Sequence, residues 1–151
     1  MLHGKQMDYD DDFTTCRETF ATLRIFSGSL TCDQISQQLG IHPTKSFNIG
    51  DPIGSRTPTP RKTNGWFLTS EGTVRSKDTR RHIDWILEKL RGARENFRGL
   101  EADGIEADVM CYWVSASGHG GPILSPPQLE GLSALGLTVW WDVYFGGEVS
   151  D

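Results

Sequence analysis

One short pattern occurs twice in this chain and does more than any other feature to limit its possible folds. Leu30-Thr31-Cys32-Asp33-Gln34-Ile35, leading to Leu39-Gly40-Ile41, returns as Leu124-Ser125-Pro126-Pro127-Gln128-Leu129, leading to Leu135-Gly136-Leu137. Thr31 and Ser125 stand where a helix N-cap belongs, each with a glutamine three residues on. In that box the cap and the glutamine satisfy each other's free backbone N–H groups. Pro126 takes the first helical position, where a missing N–H costs nothing. Gly40 and Gly136 supply the left-handed stops. Each copy follows a strand-like run, so the repeat dictates two short strand-helix-strand units. It carries no chemistry, because every repeated residue already has a structural task.

Between and around these units the periodicities are clear. From Cys16 to Ser27, Ala21, Leu23 and Ile25 alternate with Phe20, Thr22, Arg24 and Phe26, which is a strand. Residues 42–65 carry Pro43, Pro52, Pro58 and Pro60 with Gly50, Gly54 and Gly65, a loop with a short edge strand at Lys45 to Ile49. Trp66 to Ser70 restores a strand. Asp78 caps a long helix whose apolar positions Ile83, Ile86, Leu87, Leu90, Ala93, Phe97 and Leu100 keep a 3.6-residue period. Ala107 to Ser117 is apolar on both sides, which implies a strand covered on both faces. Leu137 to Phe145 alternates as a final strand.

The expected class is α+β: a ferredoxin-like β-α-β-β-α-β unit extended by a further α-β, with two related strand-helix-strand halves around a long central helix. A mixed sheet with helices on both faces is the alternative. Residues 1–14 read as a flexible acidic leader, 15–146 as one domain and 147–151 as a tail. The leader, with Asp8, Asp10, Asp11 and Asp12, has no apolar run and resembles neither a signal peptide nor a membrane anchor.

At 151 residues, with 36% hydrophobic and 10% aromatic content, the chain suits one globular domain. Cys16, Cys32 and Cys111 are odd in number and widely spaced, which points to a reducing, cytoplasmic setting. The net charge of -5 hides an asymmetry: residues 43–98 hold 12 Lys/Arg against 6 Asp/Glu, and residues 99–151 hold none against 8. Such a split favours a charged partner, unless the two regions neutralise each other within the domain.

Thr31-x-x-Gln34-Ile35 with Leu39-Gly40-Ile41-x-Pro43-Thr44, Gly50 and Gly65-Trp66-x-Leu68, followed by Ser115-x-Ser117-Gly118-x-Gly120-Gly121-x-x-Leu124-Ser125 and Leu135-Gly136, resemble the family called domain of unknown function 4279. The likeness runs from about Thr15 to Phe145. It implies a domain boundary, a bacterial source and an immunity-type or accessory role, and it implies no activity, cofactor or catalytic residue.

Among groups able to do chemistry, His119 stands in Gly118-His119-Gly120-Gly121, a turn of the kind a hydrolase uses to hold an oxyanion; a plain strand-helix connection is the simpler reading. No G-x-S-x-G, paired Cys/His spacing or phosphate loop is present, so no metal, cofactor or catalytic residue is expected. Cys32 lies in a first helical turn beside Asp33, which opposes thiolate formation. Nucleic acid is a third possibility through the basic central segment with Trp66 or Phe67 as stacking surface, opposed by an acidic pI near 5.3. The reading that remains is a non-catalytic protein-interaction module. Its candidate binding residues are Lys45, Arg56, Arg61, Lys62, Trp66, Ser117, His119 and Gly120, and its expected partner is an acidic protein or a second copy. Trp66 is also the natural core residue of its strand.

Overall fold

The computed structural model of the protein describes residues 8–56 and 59–146. Its elements run β1 (Cys16–Ser27), α1 (Cys32–Leu39), β2 (Lys45–Phe47), β3 (Pro52–Ile53), β4 (Thr59–Pro60), β5 (Asn64–Thr69), α2 (Thr79–Leu90), α3 (Arg94–Glu101), β6 (Glu106–Ser115), α4 (Pro126–Ala134) and β7 (Thr138–Tyr144). The class is α+β. Five strands form one sheet in the order β2-β5-β1-β6-β7, antiparallel at every pair except β6–β7, which is parallel. β3 and β4 make a separate two-stranded hairpin within the Pro/Gly-rich segment.

The doubled punctuation takes the form its residues dictate. Thr31 accepts from the Gln34 N–H at 3.1 Å and donates its own N–H to Gln34 Oε1 at 2.9 Å. Ser125 N–H donates to Gln128 Oε1 at 3.0 Å. Gly40 and Gly136 sit at φ 68 and 66, a region costly for any residue with a Cβ.

The expected single long helix is instead two. After Leu90 a 3-10 turn, Arg91–Ala93, separates α2 from α3. Gly92 sits in this turn, where its low helix propensity weakens the continuous ladder, and Ala93, at the N-cap of α3, provides no side-chain cap.

All four helices cover one face of the sheet. Ala21, Leu23 and Ile25 of β1, Trp66 and Leu68 of β5 and Val109 and Cys111 of β6 form a single core with Ile35, Leu39, Ile83, Ile86, Leu90, Phe97, Leu100 and Leu132 of the helices. The expectation of a strand covered on both sides at 107–117 holds only at the end of β6, where Trp113, Val114 and Ser115 are all buried, and fails before it. The opposite face of β6, with Asp108, Met110 and Tyr112, carries no helix and is half-buried by its own neighbours.

The acidic leader is docked where it is described. Asp10 N–H donates to Asp78 at 2.7 Å, Lys77 N–H to Asp11 O at 2.9 Å, Arg81 pairs with Asp11 at 2.8 Å, and Tyr9 hydrogen-bonds Asp84. Residues 1–7 and the expected tail at 147–151 lie outside the described residues.

His82, which stands among Arg80, Arg81 and Asp84 on α2, turns into the interior. Its Nε2 lies 2.8 Å from the Ser76 carbonyl and must carry the proton, which leaves Nδ1 to accept from Ser70 Oγ at 2.6 Å. Burial holds its pKa below the ordinary histidine value, because a charged ring is poorly solvated there. A depressed folded-state pKa gives stability that is full above the unfolded value and lost on acidification. Urea denaturation is thus expected to show stability falling as pH drops from about 7 toward about 5. His82→Gln should flatten that slope, and an unchanged slope in this variant would contradict the assignment.

Candidate functional site

The face of the sheet that no helix covers is built by strand alternation, and its residues follow from the register. β1 presents Glu18, Phe20, Thr22, Arg24 and Phe26. Facing these across β6 are Val114, Tyr112, Met110, Asp108 and Glu106. On the other side, β5 sets Thr69 beside Thr22, Phe67 beside Arg24 and Gly65 beside Phe26. β2 adds Lys45 beside Phe67 and Phe47 beside Gly65, and β7 adds Thr138, Trp140, Asp142 and Tyr144 along β6.

The rings pack into two groups. Phe67 meets Phe26 and Phe47 edge-on, both at 5.5 Å between centroids. Phe20 stacks on Tyr112 at 4.7 Å, and Tyr112 meets Tyr144 at 5.4 Å. Between them Arg24 forms a two-pronged ion pair with Asp108, at 2.8 and 2.6 Å, and its guanidinium lies 5.2 Å from the Phe26 ring and 4.9 Å from that of Trp140. Trp140 and Tyr144 remain 38% and 45% exposed, so the face is apolar yet open to solvent.

Charge is unevenly distributed over this surface. At the β2 edge Arg61, from the end of the hairpin, stacks on Phe47 at 3.8 Å. Neither Arg61 nor Lys45 has a carboxylate partner among the described residues, and the Arg61 Nε–H has no acceptor there either. At the opposite edge Glu106, Asp108 and Asp142 line β6 and β7. Partial burial, followed by Glu18, Tyr144, Asp142 and Glu71, raises the Tyr112 hydroxyl pKa above the ordinary tyrosine value.

Gly65 makes the Phe47 corner possible. A Cβ built there would lie 2.1 Å from the Phe47 ring, so any larger residue must expel that ring. Gly65→Val is expected to cost about 1–3 kcal/mol. It should also abolish the nuclear Overhauser contacts between the Phe47 and Phe67 rings; their persistence would show that the corner does not depend on the glycine.

The structure separates the residues singled out in the sequence. Lys45 and Arg61 reach the open face, while Arg56 and Lys62 are exposed on the hairpin segment beside it. Trp66 is not at the surface: it is 0% exposed in the core, and its Nε1 donates to Ser36 Oγ at 2.9 Å. Ser117, His119 and Gly120 form an exposed turn away from Lys45, organised by Ser115, whose Oγ accepts from the Gly118 N–H at 2.9 Å and donates to the His119 carbonyl at 2.7 Å. Ser117 Oγ meets His119 Nδ1 at 3.0 Å, and Thr15 packs against Gly120. A groove of about 860 Å³ lies elsewhere, beside α2 between Tyr9, Asp11, Arg81 and Trp85, and no histidine lines it.

The cysteines are all buried. Cys32 donates to the Gly65 carbonyl at 3.3 Å, and burial raises its thiol pKa; Cys16 and Cys111 are pushed up to about 11 and about 12. None has the depressed pKa of a thiol nucleophile. Among the described residues no three His, Cys, Asp or Glu side chains converge as a metal site, and no helix is long and apolar enough to cross a membrane.

Sequence reasoning missed Phe20, Phe26, Phe47, Tyr112, Trp140 and Tyr144 as a set. The available signal was charge interleaved with aromatics on one side of each strand. A family model described as Domain of unknown function (DUF4279) matches residues 15–146. No curated protein and no solved structure matches the chain.

Proposed function

Because the chain belongs to the DUF4279 family, a domain of unknown function that brings no activity with it, we propose from geometry that it is a non-catalytic protein-interaction module docking through the open aromatic face of its sheet. The observation that carries this is the division of the two faces. One holds the whole helix-covered core, and the other displays Phe20, Phe26, Phe47, Phe67, Tyr112, Trp140 and Tyr144 with no helix or strand over them among the described residues. Aromatic side chains offer large contact area at low entropy cost and are enriched in interface cores.

Nucleic acid is the poorer occupant. Glu106, Asp108 and Asp142 oppose a phosphate backbone there, and much of the central segment's positive charge sits on α2 and α3, behind the sheet. The antiparallel order β2-β5-β1-β6 supports reading β1, α1, β2, β5, the α2–α3 pair and β6 as a ferredoxin-like split unit, with α4 and β7 as its parallel extension. Three free buried cysteines support a reducing cytoplasm, and an immunity-type or accessory role in a bacterium fits a docking module.

A photo-crosslinking amino acid placed at Phe67 or Trp140 tests the proposal, with Glu88 on the outer surface of α2 as control. Protein adducts are expected from the two face positions in cells of the native host. Adducts from Glu88 alone, or to nucleic acid from the face, would overturn it.

A further inference from the structure

The distribution of charge on the open face bears on which protein docks there. Lys45 and Arg61 occupy the β2 edge without carboxylate partners among the described residues, whereas the β6–β7 edge carries Glu106, Asp108 and Asp142. Arg24 at the centre is neutralised by Asp108. The face is therefore cationic at the β2 edge, largely apolar in the middle, where Arg24 is paired and Glu18 stands exposed at one end, and anionic at the other edge. Such a surface is complementary to itself: a two-fold axis lying in the interface, close to the direction of β1, lays each β2 edge over the other copy's β6–β7 edge. That is the isologous arrangement, and it keeps the strands of the two sheets near the roughly 30° of aligned sheet packing.

Size agrees with this. Five strands about 4.8 Å apart span roughly 24 Å, and the run from Glu18 to Phe26 is about 26 Å long. The footprint is then roughly 600 Å² per copy, or about 1,200 Å² in total, at the lower limit of a specific stable interface. A basic or an acidic partner would satisfy one edge and repel the other, whereas a second copy satisfies both.

We infer that the occupant of the open face is a second copy of this chain, packed sheet to sheet about a two-fold axis, with the cationic Lys45 and Arg61 edge of each copy lying over the anionic β6–β7 edge of the other, nearest Glu106. The inference rests on the docking role proposed above and adds the partner. The aromatic groups at the centre supply most of the contact, and the edge charges set the register and reject misaligned pairing.

Sedimentation velocity on the full chain, over a micromolar concentration series, provides the test. The wild-type protein is expected to associate to a dimer. Lys45→Glu with Arg61→Glu, and separately Glu106→Lys with Asp142→Lys, should each weaken that dimer about tenfold or more. An equimolar mixture of the two variants should recover it, since both edges are again opposite in charge. Lys45→Glu alone, at an exposed position, keeps the test valid if the double change disturbs the hairpin. A wild-type protein that stays monomeric, or charge-reversed variants that associate as wild type does, would overturn the inference. If the chain is monomeric while the crosslinker at Phe67 captures a different protein, self-association fails and the docking role survives; no adduct from the face removes both.

Discussion

Asp78→Ala is expected to destabilise the fold by about 3–5 kcal/mol, the largest effect of any single charge removal in the described structure. The Asp78 side chain is 0% exposed and ties the start of α2 to the leader. It caps α2 by accepting from the Arg80 N–H at 3.0 Å, pairs with the Arg80 guanidinium at 2.7 Å, and receives the Asp10 N–H of the leader at 2.7 Å. Removing it deprives the largely buried Arg80 guanidinium of its carboxylate and the leader of one of its anchors. Burial alone would raise the Asp78 pKa, but the bonds from Arg80 and Asp10 outweigh it and hold the carboxyl below the ordinary aspartate value. This stabilisation is complete above the unfolded-state pKa of about 4 and is lost as pH falls through the lower folded-state value. Asp78→Asn retains capping ability and should recover a part of the loss. Melting temperatures measured near neutral pH check this: at roughly 2–4 °C per kcal/mol for a chain of this size, Asp78→Ala should melt about 10 °C lower. A shift within about 2 °C would contradict the role assigned to it.

Trp66→Ala and Phe67→Ala, one residue apart on the same strand, are expected to differ sharply. Trp66 points into the core and Phe67 onto the open face. Truncating Trp66 removes a fully buried indole and leaves Ser36 without its donor, a loss of about 3–5 kcal/mol. Phe67 packs edge-on against Phe26 and Phe47 but stays half-buried, so its loss should cost about 1–2 kcal/mol and leave the fold intact. The functional expectation runs the other way, because Phe67→Ala removes a docking group and Trp66→Ala removes none. Urea denaturation of both variants decides the matter. Equal losses would mean that the two faces of β5 are not the core and the open surface.

The contrast also shows what the sequence could and could not reveal. Thr31 with Gln34 and Ser125 with Gln128 placed two helix starts, and Gly40 and Gly136 their stops, because capping is local chemistry needing a few neighbouring residues. The 3.6-residue period placed Ile83 through Leu100 correctly on the core side, although it gave no sign that the ladder tightens at Arg91–Ala93. The open face was hidden for a different reason. Met110 and Tyr112 are as apolar as Val109 and Cys111, so hydropathy makes both sides of β6 look covered. What distinguishes the open side is Asp108 and Glu106 in line with them, and Arg24 in line with Phe20 and Phe26, since a doubly covered strand pays heavily for such charges. The pairing of Arg24 with Asp108 depends on register between residues 84 positions apart, which no local pattern contains. Lys45 and Arg61 were found through the composition of their loop, but their position at an edge of an aromatic surface needed the fold.

Hydroxyl-radical footprinting of the protein, free and bound to whichever protein it captures, tests the central claim most directly. The open face as docking surface predicts protection of Phe67, Met110, Tyr112 and Trp140 on binding, with Trp85 and Leu87 of the helix layer unchanged. Protection of Trp85 and Leu87 with the four face residues still reactive would contradict it.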